Sequence, residues 1–260
     1  MPFTLSHPAV VLPLSRGPLV ASALVIGSVA PDLPYVLPQA TSADWGWYSN
    51  YNLTYTHELG TGILCGTITA LLLVALFHHL LKRPLIALLP PAAAARLAGA
   101  AERFRWSGPQ RFAWVAASAA MGVLTHLAWD ALVHENGSAW WSLLPDTRNV
   151  TEGLWWVSTL AGAVALAVWL CRWWRRTPRG WSGSLRPAVR WTALAALAVA
   201  GVIGAVFQVV KHGDNLIDAL RSVAVLRGAV GGAMSGFGAA MLLYAVLWRI
   251  RSRSTSAPAA

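Results

Sequence analysis

Between Arg111 and Glu135 the chain reads RFAWVAASAAMGVLTHLAWDALVHE, with His126, Asp130 and His134 four residues apart. On a helix, positions i, i+4 and i+8 lie one above another, so the three side chains share a face. An imidazole and a carboxylate one turn apart are a ready pair of metal ligands. Ionisable groups at membrane depth are expensive and usually face a polar cavity that serves a site. The pair alone leaves a second reading open, in which His126 and Asp130 simply hydrogen-bond each other or a neighbouring helix.

The elements that position these residues must be membrane helices. Hydrophobic residues make up 56% of the 260 positions and charged ones only 12%, against about 25% charged in soluble domains. The net charge of +10 does not point to nucleic acid, because the basic residues cluster in short segments between apolar runs, as cytoplasmic loops do. Many of the fifteen tryptophans, Trp106, Trp140, Trp155 and Trp173 among them, stand near run ends and fit interfacial belts. Cys65 and Cys171 both fall inside apolar runs, so neither a disulfide framework nor a cysteine metal site is expected. Ser28-Val29-Ala30 faintly resembles a signal-peptidase site, but Pro31 and Asp32 follow at once, and no cleaved leader is expected.

The fold class expected is all-α: a polytopic transmembrane bundle of about six spans, one integral membrane domain over residues 1–250 with a short tail at 251–260. The first apolar stretch, Pro8 to Ala30, is broken by Pro13, Arg16, Gly17 and Pro18. It reads as one kinked span, as two short helices, or as a re-entrant hairpin, since non-helical backbone at depth is tolerable where it lines a cavity. Lysine and arginine concentrate in Lys82 to Arg111, in Arg172 to Arg190 and in the tail. By the positive-inside rule, six spans put both termini in the cytoplasm. Gly228, Gly232 and Gly236 form a small-residue stripe on the last span, suited to internal packing or to a homo-oligomer contact.

With that topology Asp32, His57, Asp130 and His134 all fall at outer helix ends, and His126 lies about 12 Å below His134 by the helix rise. Polar residues from three separate spans thus converge on one level. Asp32 is held between Pro31 and Pro34, which stop a helix there. His57 and Glu58 open the run that continues to Leu81.

The segments MPFTLSHPAVVLPL, IGSVAPDLPY, YTHELGTG and GVLTHLAWD, in this order, resemble the DUF4184 family of bacterial integral membrane proteins. More distantly they are similar to LexA-regulated inner-membrane proteins described as membrane-bound metal-dependent hydrolases. The likeness covers Met1 to about Asp130 well and the rest mainly by hydropathy. It implies a ligand set on His7, Asp32, His57, His126 and Asp130, and a site in the bacterial cytoplasmic membrane. Leu33-Pro34-Tyr35 and Tyr55 stand where the hydrolase-like group has further ligands, so fewer candidate ligands are present here.

The function expected is a membrane-embedded, metal-dependent, hydrolase-like enzyme acting on an amphiphilic or lipid-like substrate. A divalent metal, zinc by donor type, would sit on His57, His126 and Asp130, with Asp32 and His7 completing or orienting the shell. Such a metal lowers the pKa of bound water and polarises a carbonyl or phosphoryl oxygen. Catalytic candidates are Asp32 and Glu58, the latter as general base; Glu135 and Glu152 are weaker. The same metal could serve a cyclase or lyase step. A proton- or cation-coupled transporter and a non-catalytic scaffold are the competing classes. No nucleophile elbow, Walker loop or dinucleotide fingerprint is present.

Overall fold

The computed structural model describes residues 4–36, 54–102, 104, 106–133, 148–180, 185–212 and 223–254. Eleven α-helices are described: α1 (Pro8–Val11), α2 (Ala21–Gly27), α3 (Leu33–Val36), α4 (Thr54–His57), α5 (Leu59–Leu76), α6 (Lys82–Ala87), α7 (Pro91–Glu102), α8 (Gly108–Val133), α9 (Arg148–Arg176), α10 (Pro187–His212) and α11 (Val223–Ser254). The chain is an all-α polytopic helical bundle, with no strand among the described residues.

Five of its helices are long and apolar enough to cross a membrane: Leu59–Ala87, Gly108–Val133, Asn149–Arg176, Pro187–Lys211 and Gly228–Ser252. Of the readings open for the first apolar stretch, the structure takes the one with two shorter helical segments, Thr4–Leu14 and Ala21–Asp32. Pro13, which cannot donate a helical hydrogen bond, stands in the 3-10 turn Leu12–Leu14 that closes the first of these after α1. Gly17 turns the chain at φ 63°, in the left-handed region open to glycine.

One compact unit comprises Met1–Leu33, Ala43–Val74 and Trp106–Thr177. In it α2 runs parallel to α8 at a constant offset. The Val20 amide donates to Ser118 Oγ at 2.9 Å, and the Ser28 carbonyl meets His126 Nδ1 at 2.9 Å, both pairs 98 residues apart in sequence. Small residues permit this closeness: a Cβ on Gly27 would lie 2.3 Å from the Ala119 carbonyl oxygen, and one on Gly122 2.3 Å from that of Leu24. The hairpin's first arm packs on α9, where Gly162 accommodates Ser6.

The other unit comprises Pro34–Ser42, Ala75–Arg105 and Pro178–Ala260. Before α6 the helix passes through one π-type turn, Phe77–Leu81. Pro84 follows, and its ring cannot accommodate a regular turn against the carbonyl four residues earlier. Leu88, Leu197 and Met241 form the core of this unit, and the Tyr244 hydroxyl donates to the Pro84 carbonyl. Helices α10 and α11 meet through glycines, a Cβ on Gly232 falling 2.3 Å from the Gly204 oxygen and one on Gly236 2.3 Å from that of Ala200. Gly232 and Gly236 are therefore spent on packing within the chain. Of the two roles expected for the Gly228/Gly232/Gly236 stripe, this is the internal-packing one; of the three, only Gly228 has nothing within 4 Å of a built Cβ.

Candidate metal centre

The offset that sets α2 beside α8 also aligns Asp32 with Asp130. Pro31 stands in the short 3-10 turn Ala30–Asp32 that follows α2 and fixes the carboxylate there. His126 and Asp130 occupy successive turns of the same α8 face and are both buried. His57 comes from the end of α4, just before α5 starts. His7 precedes Pro8, the first residue of α1, and is buried.

These side chains converge. His57 Nε2 lies 3.5 Å from Asp32 Oδ1 and 3.6 Å from Asp130 Oδ2, and His126 Nε2 lies 3.5 Å and 3.4 Å from the same two oxygens. One donor atom from each of Asp32, His57, His126 and Asp130 lies within 4.8 Å of the others. Four of the six edges of this quartet are thus 3.4–3.6 Å long. That is too long for good hydrogen bonds. It is the spacing of two donors on one four-coordinate ion, which bonds of about 2.0–2.2 Å place about 3.3–3.6 Å apart. The quartet could hold a metal ion.

The outer atoms of the ligands are fixed. A backbone carbonyl only accepts, so the 2.9 Å contact between His126 Nδ1 and the Ser28 oxygen puts the ring proton on Nδ1 and leaves Nε2 with a lone pair turned inward. The Thr4 hydroxyl donates to Asp32 Oδ2 at 2.6 Å, leaving Oδ1 to face the two imidazoles. Thr56 Oγ1 lies 2.9 Å from His57 Nδ1. His126 Nε2, His7 Nε2 and Asp32 Oδ1 are buried and make no hydrogen bond of ordinary length among the described residues. Buried polar atoms left in this state are costly, and a bound ion removes the cost.

His7 joins the group from the hairpin's first arm. Its ring stacks on that of His126 with centroids 4.1 Å apart, and its Nε2 lies 3.6 Å from Asp130 Oδ1. Asp130 thus turns one oxygen to His57 and His126 and the other to His7. The broken first segment, rather than a single crossing, is what lets His7 approach Asp32 and Asp130.

Glu58 is exposed and accepts a hydrogen bond from Thr61 Oγ1 at 3.1 Å, outside the converging group. Glu152 is exposed near the start of α9. His134 and Glu135 lie outside the described residues. Sequence reasoning missed Thr4 and Ser28, which hold the outer atoms of Asp32 and His126. Their only signal was position, next to candidate ligands on a segment with no periodic pattern.

A family model for a domain of unknown function, DUF4184, matches residues 1–248. The chain belongs to the DUF4184 family. No curated protein and no solved structure matches it. Every residue of the candidate centre lies within the stretch this DUF4184 model covers.

Proposed function

We propose that this DUF4184 protein is a membrane-embedded, metal-dependent, hydrolase-like enzyme whose cofactor is a divalent metal, zinc by the donor set. The observation that carries the reading is the quartet Asp32, His57, His126 and Asp130, with donors at ligand spacing and the outer atoms of Asp32 and His126 already bonded. Two imidazoles and two carboxylates suit zinc, and His7 is a fifth donor beside them. When bound, the ion supplies Lewis acidity and a nucleophilic water.

The chain's own residues shape the rest. His57 is the most exposed member, its side chain 23% accessible against 10% or less for the others, so the centre opens on the His57 side. Glu58 follows His57 directly and is exposed, placed to take a proton from water arriving there. Leu5, Leu59 and Leu132 each stand two residues from a ligand and are exposed. For Leu132, on the same helix as Asp130, that spacing turns the side chain well away from the ligand, toward lipid. A site with this apolar exterior takes substrate from the bilayer, which points to an amphiphilic or lipid-like molecule. A proton or cation path would need polar groups through the full depth. Two turns below His126, α8 offers Ser118, whose hydroxyl is spent on the Trp114 carbonyl and the Val20 amide.

The basic segments support a cytoplasmic C-terminal tail, the membrane being a bacterial cytoplasmic one in this reading. The Thr4 to Asp32 bond brings both ends of the hairpin to one level. That supports an outer-side position for Thr4, beside the centre, in place of the cytoplasmic N-terminus that a single crossing would require. The test is hydrolysis of fluorogenic octanoyl esters by zinc-loaded protein in nanodiscs. Turnover that is lost in Glu58→Gln at unchanged metal content supports the reading, and turnover equal to that of chelated protein refutes it.

A further inference from the structure

We infer that the reacting group of the substrate is an uncharged acyl carbonyl, as in a lipid ester, lactone or amide, rather than a phosphoryl group. The inference rests on the metal-dependent reading above and narrows it.

The argument is one of charge. Asp32 and Asp130 carry two negative charges, which a divalent ion cancels, and imidazole ligands bind metals in the neutral form. The loaded centre is therefore neutral before substrate arrives. A phosphoryl group adds one or two negative charges, and proteins hold such groups with arginine, lysine or helix N-termini. Residues 17–81 contain no lysine or arginine, and neither do residues 112–147. Those two stretches carry six acids: Asp32, Asp44, Glu58, Asp130, Glu135 and Asp146.

The arginines of the unit that holds the centre stand far along its helices. Arg111 is fifteen residues before His126 on α8, about 22 Å by the helix rise. On α9 the level of Ser6, beside His7, is marked by Gly162. Arg148 is fourteen residues from Gly162 and Arg172 ten, about 21 and 15 Å. Arg16 lies in the hairpin turn beyond Val20, and Val20 is bonded to Ser118, eight residues or about 12 Å from His126. The N-terminal end of α5, next to His57, is already met by the Glu58 carboxylate, which also takes the Thr61 hydroxyl. Among the described residues of this unit, no lysine or arginine stands within about 12 Å of His126 along these helices, whereas a carbonyl brings no charge to be met.

Acyl hydrolysis also fits the exit of product. The oxygen of water bonds to the carbonyl carbon, the bond from that carbon to the leaving oxygen or nitrogen breaks, and a proton from the water passes to the leaving group. The acid product ionises, and its carboxylate finds no lysine or arginine in the stretches around the centre to retain it.

The test uses metal-loaded protein in detergent at about pH 9 and three eight-carbon probes: octanamide, monomethyl octylphosphonate and octylphosphonate, neutral, monoanionic and largely dianionic in that order. Binding is read as the Tm shift against probe concentration, with bound metal measured in the same samples. We expect neither phosphonate to bind more tightly than the amide, and the dianion to bind no more tightly than the monoanion, as unscreened charge at a dry site requires. A dianion that binds about 10-fold more tightly than the monoanion would overturn the inference while leaving the metal reading standing. Protein that holds no metal would overturn that reading instead.

Discussion

Gly122→Ala tests whether the α2 and α8 contact sets the ligand spacing. The Cβ it adds would lie 2.3 Å from the Leu24 carbonyl oxygen and 2.8 Å from the Ser28 amide nitrogen. Both are backbone atoms, so no side chain can swing aside. The approach to Leu24 falls 1.1 Å short of the 3.4 Å at which ordinary contact begins, and the helices must part by about that distance. Overpacking of this kind costs about 1–3 kcal/mol. The displacement falls on Ser28, which orients His126, and on the segment carrying Asp32, four residues further on. Donors now 3.4–3.6 Å apart would then exceed the spacing that one ion spans, and metal affinity should fall by about 10-fold or more. The assay is unfolding in detergent together with metal per chain by elemental analysis after dialysis. Gly60→Ala is the control, because its Cβ meets nothing within 4 Å and lies close to His57 in the chain. Gly122→Ala with wild-type stability and wild-type metal content would refute the reasoning.

Thr4→Val removes the hydroxyl that bonds Asp32 Oδ2 and should weaken metal binding by about 10-fold, whereas Thr4→Ser should retain it; competition with a fluorescent chelator measures both. Gly232→Ala forces α10 and α11 apart at a 2.3 Å contact and should lower Tm by the same overpacking mechanism while leaving the metal content of the other unit unchanged. Imidazole and carboxylate ligands bind metal only when deprotonated, so retention should fall as pH drops from about 8 to about 5 and recover on return; retention independent of pH would count against histidine ligation.

How far the site was legible depends on the kind of signal each residue leaves. His126 and Asp130 were readable because helical periodicity puts i and i+4 on one face, and Asp32 and His57 because charged loops fix which helix ends share a level. His7 was ambiguous, since Pro13, Gly17 and Pro18 announce a break without saying whether the chain continues across or returns. What decides it is the close fit of Gly27 to Ala119 and of Gly122 to Leu24. Small residues inside an apolar run do not name their partners, so this contact had no sequence signature. The same holds for Ser28, which acts through its backbone carbonyl, a group every residue has. The stripe on α11 was legible as a packing surface, but its partner on α10 was not, because glycine spacing fixes a face and not what covers it.

Elemental analysis of detergent-purified protein, with His126→Ala and Asp130→Ala prepared beside it, tests the central claim most directly. The account predicts about one tightly held divalent ion per chain in the wild type and loss of that ion in both variants, with helical content retained. A wild-type protein that takes up no divalent metal, or variants that keep it in full, would contradict the account.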